Sequence, residues 1–273
     1  MSKKISEVEF TIFDTETTGL DPKAGDRIVE IAGIRLKGEE IKSTFQALIN
    51  PGREISEAAF AVNKITPQML EEAPGIDIVL PQFLDFIQGS CLCSYNAGFD
   101  LEFLNNELKL IGRPALENTT VVDILKMARK LLPHEERYAL WFIADKLGLK
   151  SGQLHRALAD VEMTREVFRK FQAMLTAKDI FDYEQFTNLF AISSGFSHNL
   201  LGQKIASIQE AIDAGVKLKI KYLSGSSAQV SEREVFPKEI RQENGRKYLV
   251  GFCCLRQAER TFRIDGILHL QIV

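Results

Sequence analysis

The sequence lacks the features that would indicate a membrane or secreted protein. Its apolar runs fall well short of the roughly 20 residues that a membrane span requires, and the opening stretch MSKKISEVEF has no apolar signal-peptide core. It contains no internal repeat and no low-complexity tract. We therefore expect no membrane association and a cytoplasmic location.

Cysteine is scarce, with 4 in 273 residues. The cysteines form two tight pairs that have neither the CxxC spacing nor the neighbouring histidines of a zinc site, and we expect no disulfide framework. They are predicted to be reduced thiols buried in strands: Cys91, Cys93, Cys253 and Cys254. Hydrophobic residues make up 45% of the chain, which is enough to build one large or two modest cores.

Charge is distributed unevenly along the chain. Residues 1–200 contain 22 Lys and Arg against 29 Asp and Glu, whereas residues 201–273 contain 12 against 8. An acidic body is therefore followed by a basic tail. Because proteins that bind polyanions usually carry a basic surface, the tail is the candidate contact for such a partner.

The stretch FTIFDTETTGL, residues 10–20, is an apolar run that ends with two acids two residues apart. In a strand, residues i and i+2 share a face, so Asp14 and Glu16 would project together. Two such carboxylates repel unless a cation neutralises them or one of them keeps a proton. The alternative interpretation is a strand that ends in a solvated turn, since Asp, Thr and Gly are common turn residues.

Alternating patterns predict three strands that open the chain as a meander, followed by alternating helices and strands. This order favours an α/β domain, a mixed sheet flanked by helices, over residues 1–178. Residues 179–204 show no clear period and are predicted to be a linker. Residues 205–273 read as one helix followed by short strands and turns, which predicts a small all-β barrel or sandwich.

Two further acids and one histidine lie at the starts of predicted helices. Asp100 follows the strand SCLCSY, and Asp160 lies in HRALADVEMT, five residues after His155. Taken singly, an acid near a helix N-terminus is usually a favourable partner of the helix dipole, and a lone histidine is usually structural. Asp123 also begins a helix, and we expect it to be an N-cap.

Together these motifs resemble the DEDDh exonucleases, a family with a ribonuclease H-like fold. FDTETTGL, NAGFDLEFL and HRALAD match its three motifs in order, over about residues 8–175. The resemblance implies that two divalent ions, Mg²⁺ or Mn²⁺, bind Asp14, Glu16, Asp100 and Asp160, and that His155 accepts the proton of the attacking water. It also implies that the backbone at Thr17 holds the terminal 3′ hydroxyl and that Leu20 wedges against the end base. One departure is Tyr95, where many members have histidine.

From about residue 205 the chain resembles a WYL domain, a small Sm-like or SH3-like barrel, through AIDAGVKLKIKY, REVFP, KYLVGFCCLR and RTFRIDGI. It departs from that family at Lys247 and Gly266, where tryptophan and arginine are usual. Guanidinium groups and an aromatic ring could hold single-stranded nucleic acid or a nucleotide ligand. The alternative is that these arginines only solvate the surface. The candidate residues are Arg233, Tyr248, Arg256, Arg260 and Arg263.

The two resemblances therefore imply a metal-dependent 3′–5′ exonuclease that acts on DNA or RNA 3′ ends, releases nucleoside 5′-monophosphates and carries a ligand-binding tail. Two alternatives stay open. One is a proofreading-type subunit of a DNA polymerase, and the other is a WYL regulatory module with an inactive nuclease fold. The choice between DNA and RNA and the oligomeric state are not indicated by the sequence.

Overall fold

The computed structural model describes residues 3–116, 119–150, 156–193 and 195–273, with side chains described outside 193–200. A six-stranded mixed sheet has the order β3-β2-β1-β4-β5-β6. Its antiparallel meander is β1 (Glu9–Thr17), β2 (Ile28–Lys37) and β3 (Glu40–Leu48). The parallel strands β4 (Cys91–Ser94) and β5 (Val121–Asp123) follow, and β6 (Ala191–Ser193) pairs antiparallel with β5. The predicted meander is confirmed.

Helices cover both faces of this sheet. They are α1 (Glu57–Asn63), α2 (Pro67–Leu70), α3 (Ile76–Ile87), α4 (Ala97–Leu110), α5 (Ile124–Leu131), α6 (Leu140–Lys146), α7 (Ala157–Thr176) and α8 (Tyr183–Phe190). Local chemistry sets several of their starts. The Thr66 side chain accepts a hydrogen bond from the Met69 amide ahead of Pro67, and the Asp123 carboxylate accepts one from Leu125. The predicted N-cap at Asp123 is confirmed.

Alternation along β1 divides the core into two layers. Phe10 and Ile12 are fully buried in the layer beneath α5 and α7, where the rings of Phe10 and Phe168 lie 5.2 Å apart. Phe13 is buried in the opposite layer, beneath α3 and α4. Because strand residues alternate between faces, Asp14 and Glu16 continue the face of Phe10 and Ile12, and Thr15 continues the face of Phe13. Strand β1 therefore directs its two acids toward α7.

The tail is a five-stranded antiparallel sheet behind helix α9 (Gly195–Ala214), with the order β10-β9-β8-β7-β11. Its strands are β7 (Leu218–Leu223), β8 (Val230–Glu243), β9 (Arg246–Cys253), β10 (Ala258–Arg263) and β11 (Ile267–Ile272). The α/β class with a second β domain is confirmed, but the predicted barrel is corrected to an open sheet, since β10 and β11 do not pair within the described chain. Ile208 and Ala211 of α9 are buried against this sheet. The helix therefore covers the apolar face of the sheet, although the strands do not close into a barrel.

The segment predicted to be a linker, residues 179–204, contains α8, β6 and the first part of α9. Strand β6 forms one edge of the first sheet, and Phe186 and Phe190 of α8 are buried in its core. The boundaries of the two domains stay a prediction. Among the described residues, no helix combines the length and the apolar content that crossing a membrane would require.

Candidate metal centre

Three of the predicted acids meet where β1 reaches the start of α7. Asp14 lies opposite Ala32 and Glu16 opposite Glu30 in the β1–β2 register, so the two acids share one face of the sheet. Asp160 lies in the first turn of α7, and its backbone amide donates to Arg156 at 3.0 Å. Each of the three acids offers a carboxylate oxygen, and these oxygens all lie within 4.8 Å of one another. The structure thus brings together acids that are 146 positions apart in sequence.

The electrostatics of this cluster favour a bound cation. Burial, followed by repulsion from Asp100, Glu16 and Asp160, raises the pKa of Asp14 well above its usual value. Burial and then the charge of Asp160 raise the pKa of Glu16 to about 8. Carboxylate oxygens are the ligands that Mg²⁺ and Mn²⁺ prefer. A divalent ion would balance the charges and return these acids to their ionised form, so the residues present fit such a group.

Asp100 lies beside the cluster but is turned toward other partners. It is 2% exposed and accepts hydrogen bonds from the Thr15 amide at 3.0 Å, the Thr15 hydroxyl at 2.7 Å and the Ser94 hydroxyl at 2.6 Å. Burial raises its pKa to about 6, although the hydrogen bonds from Ser94 and Thr15 act in the opposite direction. It is not one of the three acids in the cluster. Its role as a metal ligand stays a prediction.

A fifth acid, which sequence reasoning missed, lies behind the cluster. Glu30 of β2 is fully buried and accepts hydrogen bonds from the Arg156 guanidinium at 2.9 and 3.0 Å, from Gln46 at 3.0 Å and from the Ala157 amide at 3.2 Å. Burial alone would raise its pKa, but these donors lower it overall. Glu30 thereby ties the first residue of α7 to β2. The available signal was a single acid inside the apolar run RIVEIAGI.

The remaining predicted residues of the first domain are placed as follows. Thr17 is buried, its hydroxyl donates to the Gly19 carbonyl, and its own carbonyl accepts from Asn63. Leu20, three residues after the end of β1, is 83% exposed. His155 lies in 151–155, outside the described residues. Tyr95, which replaces the histidine of many family members, donates its hydroxyl to the Tyr138 carbonyl at 2.7 Å.

In the tail, the structure brings together four of the five predicted residues. Their arginine side chains line one cavity of about 1060 Å³, together with serines of the turn after β7 and His134 of the first domain. Tyr248 is not among the lining residues and lies opposite Arg263 in the β9–β10 register. We call this space the arginine cavity, after its members Arg233, Arg256, Arg260 and Arg263.

Comparison with known proteins agrees with this geometry. An exonuclease family model matches residues 11–168, which is more than half of the chain and contains all five motif residues, and a WYL domain model matches residues 203–272. This chain belongs to the exonuclease family. Membership implies a nuclease that depends on a divalent metal ion, and the acidic cluster supplies carboxylate ligands for it.

Curated relatives of this chain include much longer proteins. The "DNA polymerase III PolC-type" of Thermotoga maritima is 38% identical over 169 residues, which is 62% of this chain and 12% of the relative. The protein of the same name from Clostridium perfringens is 31% identical over 266 residues, which is 95% of this chain and 18% of the relative. The chain thus spans less than a fifth of the length of these relatives.

Solved structures of exonucleases share the fold. Exonuclease X in complex with 5′ overhanging duplex DNA is 27% identical, with a TM-score of 0.52 over 66% of this chain and 98% of that chain. Escherichia coli ExoI in complex with single-stranded DNA is 16% identical, with a TM-score of 0.58 over 97% of this chain and 64% of that chain. The second match extends over the tail as well as the exonuclease domain.

Proposed function

We propose that this protein is a 3′–5′ exonuclease that uses two divalent ions, Mg²⁺ or Mn²⁺, and releases nucleoside 5′-monophosphates. The observation that carries the proposal is the cluster of Asp14, Glu16 and Asp160, whose ligand oxygens lie within 4.8 Å of one another on a fold shared with known exonucleases. Asp100 is assigned as the fourth ligand.

Divalent ions in such a site lower the pKa of bound water and stabilise the leaving oxygen of the phosphodiester. The chain itself supplies the rest of the machinery. His155 accepts the proton of the attacking water, as its near-neutral intrinsic pKa allows. The backbone at Thr17 positions the terminal 3′ hydroxyl, and the exposed side chain of Leu20 packs against the last base. Glu30 keeps the start of α7 in place beneath Asp160.

The tail is assigned to bind phosphate-bearing ligands, either the nucleic acid strand or a nucleotide. Its support is the arginine cavity, where guanidinium groups can form paired hydrogen bonds with phosphate oxygens. The exposed arginines that carry the assignment are Arg256 and Arg260. Tyr248 remains a candidate from sequence alone.

A second candidate is a proofreading exonuclease that serves a DNA polymerase, because the curated relatives are PolC-type DNA polymerases. The WYL domain match over residues 203–272 favours a nuclease with a ligand-binding tail over a polymerase subunit. A regulatory module with an inactive nuclease fold is disfavoured by the intact acidic cluster.

The test is cleavage of matched DNA and RNA oligonucleotides labelled at the 3′ or the 5′ end, with Mg²⁺, Mn²⁺ or EDTA. We expect a 5′-labelled oligonucleotide to shorten in single-nucleotide steps and only in the presence of metal. Asp14→Asn should abolish this shortening without unfolding the protein. Cleavage in EDTA, internal cuts, or an active Asp14→Asn variant would each contradict the proposal. The DNA and RNA arms identify the substrate.

A further inference from the structure

The carboxylate of Asp123 lies at the start of two helices. Its Oδ1 atom accepts a hydrogen bond from the Leu125 amide of α5 at 2.9 Å. The same atom accepts from the amides of Asn96 and Ala97, at 3.2 and 3.4 Å, where α4 begins. The first contact is the N-cap that the sequence predicts, whereas the other two reach from the end of β5 to a different element. Asp123 therefore caps α5 within its own segment and α4 from a neighbouring strand.

Helix α4 depends on this contact for its N-terminal cap. Asn96 occupies the N-cap position with a left-handed backbone, at φ of 70°, and its own side chain makes no capping hydrogen bond within the described structure. The first amides of a helix have no acceptor inside the helix, so another group must supply one. A carboxylate is well suited to this position because its negative charge also interacts favourably with the helix dipole.

The capped turn carries Asp100, which is assigned above as the fourth metal ligand. Asp100 lies in the first turn of α4, three residues after Ala97. Ser94, which lies opposite Asp123 in the β4–β5 register, donates its hydroxyl to the Asp100 carboxylate at 2.6 Å. The ends of two paired strands thus hold Asp100 in two ways. Ser94 contacts its carboxylate, and Asp123 holds the backbone of the turn that carries it.

The far end of α4 is fixed by a separate set of contacts. Glu107 is 1% exposed, and it accepts two hydrogen bonds from the Arg27 guanidinium, each at 2.8 Å, and one from the Ile28 amide at 3.1 Å. These contacts join the second half of α4 to the start of β2. Loss of the Asp123 contact should therefore loosen the first turn of α4, which carries Asp100, while the rest of the helix stays docked.

We propose that Asp123 is a positioning residue of the metal centre, which holds Asp100 in place for a divalent ion by capping α4 from the end of β5. This role rests on the exonuclease function proposed above and on the assignment of Asp100 as a ligand. Removal of a group that orients a metal ligand typically weakens metal binding by about 10- to 100-fold. Asp123 acts through the backbone of the helix, so we expect an effect at the lower end of this range.

Two substitutions of Asp123 separate its two caps. Asp123→Ser keeps a hydroxyl that can cap α5, so the variant should fold. Its oxygen lies one bond closer to the main chain, however, and should not reach the amides of α4. Asp123→Asn keeps an acceptor oxygen at the full length of the side chain and should retain both caps. The matched control is Asp182→Ser, which makes the same change at the N-cap of α8, where the carboxylate accepts from the Gln185 amide at 2.9 Å.

The first measurement is Mn²⁺ binding to the full chain without substrate, by isothermal titration calorimetry at a temperature at which every variant is folded. We expect Asp123→Ser to bind Mn²⁺ about tenfold more weakly than the unmodified protein. Asp123→Asn and Asp182→Ser should bind it within about twofold of the unmodified protein. A cap that only stabilises the fold would lower the melting temperature of both serine variants and leave their affinity for Mn²⁺ unchanged.

The second measurement is cleavage of a 5′-labelled oligonucleotide at increasing Mn²⁺ concentrations. Asp123→Ser should need about tenfold more Mn²⁺ to reach half of its maximal rate, because its ligand set is less well positioned. Its KM for the oligonucleotide and its kcat at saturating Mn²⁺ should stay close to those of the unmodified protein, because bound metal restores the position of Asp100.

The possible results distinguish the positioning role from the exonuclease activity on which it rests. An unmodified protein that neither binds Mn²⁺ nor cleaves in its presence would contradict the exonuclease proposal, and the positioning role with it. Full Mn²⁺ affinity in Asp123→Ser would overturn the positioning role and leave the exonuclease intact. An equal loss of affinity in Asp123→Asn would mean that the charge of Asp123 matters and its cap does not, and an equal loss in Asp182→Ser would reduce the effect to general destabilisation. Either of these last two results would also overturn the proposal.

Discussion

At the scale of single residues, the metal centre concentrates like charges that only a cation can balance. Asp160→Asn removes one ligand and one charge, so it should lower cleavage about 10³-fold or more, in line with the several kcal/mol that bound metal contributes to such reactions. The melting temperature in EDTA should stay the same or rise, because repulsion with Asp14 and Glu16 is relieved. Single-turnover cleavage and thermal unfolding check the two parts. A variant that retains full cleavage would remove Asp160 from the site.

The raised pKa of Glu16 predicts how stability depends on pH. Its pKa is about 8 in the folded protein and near 4.5 when unfolded, so the folded state holds the extra proton between these values. Stability of the metal-free protein should therefore fall as the pH rises from 4.5 through 8, by an amount on the order of 2 kcal/mol after allowance for solvent screening. Glu16→Gln should flatten this slope. Thermal unfolding in EDTA at pH 5, 6.5 and 8 measures it, and equal slopes in both proteins would contradict the assignment.

Glu30 predicts a positioning effect distinct from ligand loss. Glu30→Gln leaves a neutral side chain of the same size but weakens the hydrogen bonds from Arg156 and from the Ala157 amide. The first turn of α7 should therefore be less rigidly positioned. We expect kcat to fall about tenfold with little change in KM for an oligonucleotide, because small misplacements of reacting groups are costly. Arg156→Gln should have a similar effect, and the double variant should be no worse than either. Fully additive losses would mean that the two residues act separately.

At the scale of elements, the sequence predicted best what depends on local pattern. Alternation in β1 indicated that Asp14 and Glu16 share a face, and helix caps such as Thr66 and Asp123 could be identified from residue type. Glu30 was missed because its partners are fixed by the pairing of β2 with β3 and by the docking of α7. Strand β6 escaped prediction because its three residues become a strand only by pairing with β5.

Helix α5 contains a buried lysine, Lys130, whose desolvation should make the stability of the folded protein depend on pH in alkaline solution. Burial lowers the pKa of Lys130 from 10.5 to about 8, although Asp265 acts in the opposite direction. Between pH 8 and 10.5 the unfolded chain binds more protons, so this group makes the folded protein more stable as the pH rises through that window. We expect Lys130→Met to lose this gain. The check is the urea midpoint at pH 7.5 and 9.5, with Lys238→Met, an exposed lysine, as the control. Equal gains in all three proteins would contradict burial as the cause.

At the scale of the whole molecule, the tail shares part of the hydrophobic core of the exonuclease domain, so it cannot be deleted without affecting that domain. Leu223 and Leu268 of the tail are buried in the same cluster as Phe10 and Phe168 of the exonuclease domain. Deleting residues 205–273 would expose that surface and would confuse loss of binding with loss of stability. The contribution of the tail is therefore better tested by removing charges from the intact chain.

The last prediction uses the charge of the arginine cavity. If a nucleic acid strand follows the cavity, each phosphate contact releases counterions, and the logarithm of affinity falls with the logarithm of salt by about 0.7 per contact. Arg256→Gln combined with Arg260→Gln should therefore reduce the slope for a 30-residue oligothymidylate by about 1.4 in EDTA. The control is Arg241→Gln, whose guanidinium is already paired with Glu239 on β8 and which does not line the cavity. Fluorescence anisotropy at several salt concentrations gives the slopes. An unchanged slope in the double variant would mean that the strand does not enter the cavity. Removing two cations that contact phosphates must reduce the number of counterions released on binding, and so must change the slope.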